Sequence, residues 1–219
     1  MNKQLVPSLL AFDKKYPYEQ LKIFKKHHLQ TIHYDVMDLT YVNNTAFETE
    51  HLEWLLKNDF LVHIHLMVIN PLEKIKQYFI YKPTRISFHF EMNDYQTNLL
   101  IINEIKKHHV LAGIAIHPCL SLNDYASYLK EVDYITFMSV IPGKGGQIFL
   151  EESLLKLKKL YEYKIKNNFK FKIEIDGGIT LEVIKKINIP IDFFVSGSYL
   201  VKNIEKLEQT VNEFNQLVN

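Results

Sequence analysis

Two patterns of apolar and polar positions take turns along this chain. Short runs rich in β-branched and aromatic residues recur at intervals of roughly 20 to 40 residues, each followed by a segment whose apolar positions fall three and four apart. The runs predict strands near residues 4–10, 31–36, 61–66, 84–90, 111–116, 132–139, 171–175 and 191–196. The intervening segments, among them YEQLKIFKKHH, FETEHLEWLLKN, YQTNLLIINEIKKHH and FLEESLLKLKKLYEYKIKNN, predict amphipathic helices. Parallel strands covered on both faces read as buried apolar runs of this kind. Eight such strand–helix units predict a single α/β domain, a (β/α)8 TIM barrel over residues 1–219. An open, doubly wound sheet shows the same alternation, so periodicity alone leaves it as the rival.

Composition narrows the function classes. At 219 residues, 47% hydrophobic and 23% charged, the chain suits one globular core and is short for two ordinary domains. Its formal charge of +1 supplies no field for nucleic acid or membrane, so the expected partner is a small molecule. Cys119 is the single cysteine, which fits a reducing, cytoplasmic setting. The start, MNKQLVPSLL, lacks the apolar run of a signal peptide, and FLVHIHLMVI is too short to span a bilayer.

Glycine placement changes the picture more. The chain has seven glycines, none before Gly113, and six of them form three clusters: Gly143, Gly145 and Gly146; Gly177 and Gly178; and Gly197. Each cluster directly follows a predicted strand, the sixth, seventh and eighth. Glycines let backbone N–H groups converge on an anion, and in a barrel the loops after the last strands are the usual phosphate site. Tight strand-to-helix turns are the structural alternative for any one cluster.

Candidate chemistry sits on three strands. His33 and Asp35 lie two apart and point to one face of the second strand, and His63 and His65 repeat that spacing on the third. The seventh strand ends in Asp176. In a barrel, His33, Asp35, His65 and Asp176 would meet at the C-terminal mouth. Two imidazoles and two carboxylates suit one divalent ion of zinc, iron, cobalt or manganese. Asp35 and Asp176 come from strands far apart in order, which suits one carboxylate taking a proton while the other returns it. Singly, each residue has a structural alternative, a hydrogen-bonded core histidine or an Asp-Gly turn; four polar groups at three strand ends are costly to bury without a purpose. Met37, Met67 and Met138 end strands near the same mouth and could wall an intermediate, although methionine is usually core filler. His63 reads as packing or support beneath His65, and His89 with Glu91 as either contacts of the site or structural residues.

These motifs resemble the ribulose-phosphate 3-epimerase family: PSLL near the start, IHYDVMD at 32–38, HLM at 65–67, MSVIPGKGGQ at 138–147, EIDGGI at 174–179 and SGS at 196–198. The resemblance runs from about residue 4 to about residue 205. It implies a (β/α)8 barrel that interconverts D-ribulose 5-phosphate and D-xylulose 5-phosphate, a step of the pentose phosphate pathway, through an enediolate. It also implies that His33, Asp35, His65 and Asp176 are metal ligands, that Asp35 and Asp176 are the acid/base pair, and that Ser8 contacts the substrate. The phosphate would lie against Gly143-Lys144-Gly145-Gly146, Gly177-Gly178 and Gly197-Ser198.

Several positions depart from the family pattern. Leu39 stands where glycine is usual, Val42-Asn43-Asn44 replaces a Val-Pro-Asn segment, Ile141 and Lys144 replace an asparagine and an aromatic, and His117 replaces an asparagine. None removes a ligand. A 3-epimerase for a six-carbon ketose phosphate, such as allulose 6-phosphate, is the first alternative. A related phosphate-binding barrel, such as a hexulose-phosphate synthase or a tryptophan-pathway enzyme, is disfavoured by the paired HxD and HLM motifs. A non-catalytic sugar-phosphate-binding barrel is disfavoured by the intact aspartates. Symmetric self-association into a homo-oligomer is the expected assembly.

Overall fold

The computed structural model describes residues 3–15 and 17–218. Met1, Asn2, Tyr16 and Asn219, including the ends of the predicted domain and the first two residues of the MNKQLVPSLL reading, lie outside the described residues. The strands are β1 (Gln4–Pro7), β2 (Thr31–Met37), β3 (Leu61–Met67), β4 (Arg85–His89), β5 (Leu111–Ile116), β6 (Tyr134–Met138), β7 (Lys172–Asp176) and β8 (Phe193–Ser196). They form one eight-stranded sheet in the order β1-β8-β7-β6-β5-β4-β3-β2, and every ladder is parallel. A parallel bridge between Ser8 and His33 joins the two end strands and closes the barrel along a seam one residue deep. That closure excludes the open sheet.

The helices between the strands are α1 (Pro17–Lys26), α2 (Glu50–Lys57), α3 (Pro71–Lys74), α4 (Tyr95–Lys107), α5 (Leu122–Tyr125), α6 (Glu152–Lys166), α7 (Leu181–Lys186), α8 (Ser198–Lys202) and α9 (Leu207–Val218). Their ends carry the expected chemistry. Asp94 caps α4 by accepting from the Thr97 N–H, Thr180 caps α7 by accepting from the Val183 N–H, and lysines close α1, α4, α6 and α7. Several boundaries differ from the sequence pattern by two or three residues, and two of them bear on the site. The run at 4–10 stops as a strand at Pro7 and turns through a 3-10 helix at Leu9–Ala11. The helix expected from Phe47 starts at Glu50, because the Tyr34 hydroxyl lies 2.6 Å from the Phe47 carbonyl oxygen and 2.9 Å from that of Glu48, holding both outside the helix.

Strand alternation sorts the core into two layers. Ile32, Tyr34 and Val36 of β2 face outward and join Leu21, Phe24, Leu52 and Leu55 in the apolar shell between strands and helices. The inward positions are polar to an unusual degree: His33, Asp35, His63, His65, Arg85, Ser87, Thr136 and Glu174 are all buried. Burying so many polar groups is costly unless they satisfy one another, so they mark where the fold gives up stability for another purpose. Among the described residues no helix is long and apolar enough to cross a membrane.

Candidate active site

β2 and β3 pair in register, His33 with His63, Asp35 with His65 and Met37 with Met67. β7 reaches the same interior from across the β1–β8 wall and contributes Glu174 and Asp176. One potential ligand atom from each of His33, Asp35, His65 and Asp176 lies within 4.8 Å of the others. His33 Nε2 is 3.3 Å from Asp35 Oδ1 and 3.4 Å from Asp176 Oδ2. His65 Nδ1 is 3.2 Å from Asp35 Oδ1, 3.7 Å from Asp176 Oδ2 and 3.4 Å from His33 Nε2. Ser8, at the seam, donates its hydroxyl hydrogen to Asp35 Oδ2 at 3.1 Å.

Electrostatics split the two aspartates. Burial and the nearby Asp35 charge push the Asp176 carboxyl up to about 6, against the pull of His33. Burial works the same way on Asp35, but the charge and hydrogen bond of His33, with His65 beside it, override burial and hold it well below the usual carboxylate range. Burial lowers the proton affinity of His33, yet Asp35, Asp176 and Glu174 raise it to about 10. The site therefore favours positive charge. His33 Nε2 can give a single hydrogen and faces two carboxylate oxygens, so a proton serves only one of them. Two imidazole nitrogens and two carboxylate oxygens form the donor set of a divalent transition ion, which can serve all four. The buried His33 Nδ1 has no hydrogen-bond partner and lies 3.7 Å from Glu174 Oε1, leaving Nε2 turned into the cluster. The residues present fit such an ion.

Two polar layers support the cluster. Below it, Glu174 lies 3.1 Å from His63 Nδ1, 4.0 Å from Arg85 Nη1, and accepts from the Thr136 hydroxyl at 3.0 Å. Beside it, His65 Nε2 lies 3.0 Å from His89 Nε2, and His89 Nδ1 lies 3.2 Å from Glu91 Oε1. The Tyr41 hydroxyl donates to that same oxygen at 2.5 Å, and its ring stacks on His89 at 4.7 Å between centroids.

A cavity of about 440 Å3 opens onto Asp35, His65 and Asp176. It suits a small ligand. Its lining includes Ser8, Met67, Met138, Ser198, Lys144 and the glycines Gly143, Gly145, Gly146, Gly177, Gly178 and Gly197. Met37, the last residue of β2, is not among the lining residues. Gly178 has φ +65°, and a Cβ there would lie 2.4 Å from the Phe149 backbone nitrogen, so only glycine fits. Gly146 has φ +73°, and the nearest atom to its missing Cβ is Ser198 Oγ, at 3.4 Å.

The segment after β2 straps the mouth. Asp38 accepts from the backbone N–H groups of Thr40 and Tyr41 at 2.9 and 2.7 Å and from that of Ile69 at 2.7 Å. Asn44 donates to the Gly143 carbonyl at 2.7 Å on the far side. Leu39, the residue where the resemblance leads one to expect glycine, takes φ +61°. His117 sits apart with Nδ1 2.9 Å from Cys119 Sγ and does not line the cavity. Sequence patterns passed over Glu174, Tyr41, Lys186 and Lys202, the last two also cavity-lining. Glu174 carried a readable signal, because it precedes Asp176 by two on one strand and so shares its face. The others lie where no periodicity speaks.

The model of the ribulose-phosphate 3 epimerase family matches residues 4–201, a span containing all four cluster residues and all three glycine groups. Ribulose-phosphate 3-epimerase from Mycoplasma genitalium is 38% identical over 213 residues, covering 94% of this chain and 96% of its own. Its counterpart from Mycoplasma pneumoniae is 37% identical over 204 residues, covering 92% and 91%. Among solved structures, 3-keto-L-gulonate-6-phosphate decarboxylase from Vibrio cholerae superposes with a TM-score of 0.74 at 12% identity over 100% of this chain and 98% of its own, a likeness of fold alone. With its barrel, its paired carboxylates and these sequence matches, the chain belongs to the ribulose-phosphate 3-epimerase family of enzymes.

Proposed function

We propose that this enzyme interconverts D-ribulose 5-phosphate and D-xylulose 5-phosphate by moving a proton at C3, the step it would supply in the pentose phosphate pathway. The observation that carries this reading is the placement of Asp35 and Asp176, on strands from different sides of the barrel, around one His-lined point at the cavity. Epimerisation removes a proton from one face of a carbon and delivers one to the other, which needs two groups. Asp35 starts ionised and takes the C3 proton. Asp176 holds a proton more readily and returns one from the opposite side, and the reverse reaction exchanges the roles.

His33, Asp35, His65 and Asp176 would hold one divalent cation, zinc, iron, cobalt or manganese. When bound, it supplies positive charge to the oxygens that turn negative as C3 loses its proton. Ser8 fixes Asp35 through its hydrogen bond. Backbone N–H groups of Gly177-Gly178, Gly197-Ser198 and the 143–146 turn would bind the phosphate, and Met67 and Met138 would keep water from C3. The free thiol of Cys119 suits a reducing, cytoplasmic compartment.

The test is turnover of a set of ketose phosphates by metal-analysed protein. D-ribulose 5-phosphate is expected as the best substrate, with activity lost on strong chelation and regained with added cation. Preference for a six-carbon ketose phosphate would replace the substrate while keeping the chemistry. No turnover of either class would reduce the chain to a sugar-phosphate-binding barrel.

A further inference from the structure

The row from Tyr41 through Glu91 and His89 to His65 assigns hydrogens along its length. A carboxylate only accepts. Glu91 Oε1 accepts from the Tyr41 hydroxyl and faces His89 Nδ1 at 3.2 Å, so that nitrogen carries a hydrogen. A neutral imidazole ring has one N–H, and His89 turns it to Glu91. His89 Nε2 is therefore an acceptor. The nitrogen facing it at 3.0 Å, His65 Nε2, must supply the hydrogen. In a neutral His65 ring, Nδ1 is then the lone pair, 3.2 Å from Asp35 Oδ1, 3.7 Å from Asp176 Oδ2 and 3.4 Å from His33 Nε2. Lone pair against carboxylate repels, and the arrangement is balanced when a cation lies among them.

We propose that Tyr41, Glu91 and His89 are positioning residues that lock His65 in the tautomer with Nδ1 free to bind a cation. This rests on reading the four-residue cluster as a cation site. The strap thereby takes part in building the site, since Tyr41 belongs to the segment that Asp38 folds and Asn44 ties across the mouth.

Cobalt(II) tests the relay without reference to turnover, because its affinity and visible absorption report ligand number and geometry. Metal-free protein is titrated with cobalt in five forms: unsubstituted, His89→Phe, His89→Gln, Glu91→Leu and Tyr41→Phe. His89→Phe keeps a ring but leaves the His65 N–H without an acceptor, and affinity is expected to fall roughly tenfold to a hundredfold with an altered spectrum. Glutamine can accept from His65 and donate to Glu91 at once, so His89→Gln is expected to stay within about threefold of the unsubstituted protein. Glu91→Leu should weaken binding as His89→Phe does, and Tyr41→Phe by less. Glu91 is partly exposed, so Glu91→Leu carries the test if His89→Phe does not fold. Unchanged affinity and spectrum in Glu91→Leu overturn the relay, as does a His89→Gln protein no better than His89→Phe. No cobalt uptake by the unsubstituted protein overturns the cation reading itself, and the relay with it.

Discussion

Ser8 and His33 are joined by the β-bridge that closes the barrel, and the same serine reaches past its partner to hydrogen-bond Asp35. The backbone seam and the proposed acid/base site are thus fastened at one residue. Ser8→Ala keeps the bridge and removes the hydroxyl. A hydrogen bond to a charged group contributes about 1.5–3 kcal/mol, so kcat/KM for D-ribulose 5-phosphate is expected to fall roughly tenfold or more while the folded circular dichroism spectrum is retained. Kinetics equal to those of the unsubstituted enzyme would show that Asp35 does not depend on this bond.

The two carboxylates separate by isotope exchange. Asp35→Asn and Asp176→Asn should each lower epimerisation by several orders of magnitude, since asparagine keeps the size and loses the basicity. With ribulose 5-phosphate tritiated at C3, Asp176→Asn protein should still release label to water, whereas Asp35→Asn protein should not. Near-normal epimerisation by either variant removes that residue from the mechanism.

Much of this arrangement is readable from sequence, for reasons specific to the residues. The strands stand out because both faces are buried and the runs stay apolar, while His33 and His65 stand out because they interrupt those runs at inward positions. The closure at Ser8 is not legible, because β1 meets β2 through a single residue while the Ser8 N–H still donates to Ser196 of β8, and one bridge leaves no periodic signal. Tyr41 was equally hidden. Its loop has no period, and its path is fixed by the Asp38 carboxylate and by Glu91, which only the folded chain brings near.

Phosphate recognition predicts a divided response among the glycines. Free D-ribulose should be a far poorer substrate than its 5-phosphate. Gly145→Ala should raise KM with little effect on melting temperature, because its backbone is not left-handed and its missing Cβ meets nothing nearer than Ser198 Oγ, at 3.7 Å. Gly178→Ala should instead destabilise the fold, because its Cβ would collide with the Phe149 backbone. Equal efficiency with the unphosphorylated sugar would return all of these glycines to plain turns.

Stability of the metal-free protein should depend on pH in two opposed windows. His63 and His89 are lowered from 6.5 to about 4, chiefly by burial, so the unfolded chain binds protons there that the folded one refuses. Stability from these rings is complete above 6.5 and is lost as pH falls toward 4. His33 is raised to about 10, so its contribution is complete below 6.5 and is lost as pH rises through 10. Asp176, raised to about 6, opposes the first trend without cancelling two histidines. The urea midpoint should therefore be highest near neutrality, and His63→Gln should flatten its acid side. An acid limb as steep in His63→Gln as in the unsubstituted protein would contradict the assignment.

The unequal proton affinities of Asp35 and Asp176 give the proposed reaction a memory. A passage that begins with Asp35 bare and Asp176 protonated ends with the proton on the other side, so the departing sugar leaves behind the form of the enzyme that accepts another molecule of its own kind. Before the next molecule of the first kind can react, the pair must relax to its resting form. Asp176, the more exposed of the two at 15% against 5%, would be the place at which water resets it. Flux in one direction would then depend on the speed of that reset as well as on the chemistry at carbon. Abundant product would hold the enzyme in the form suited to undoing the step.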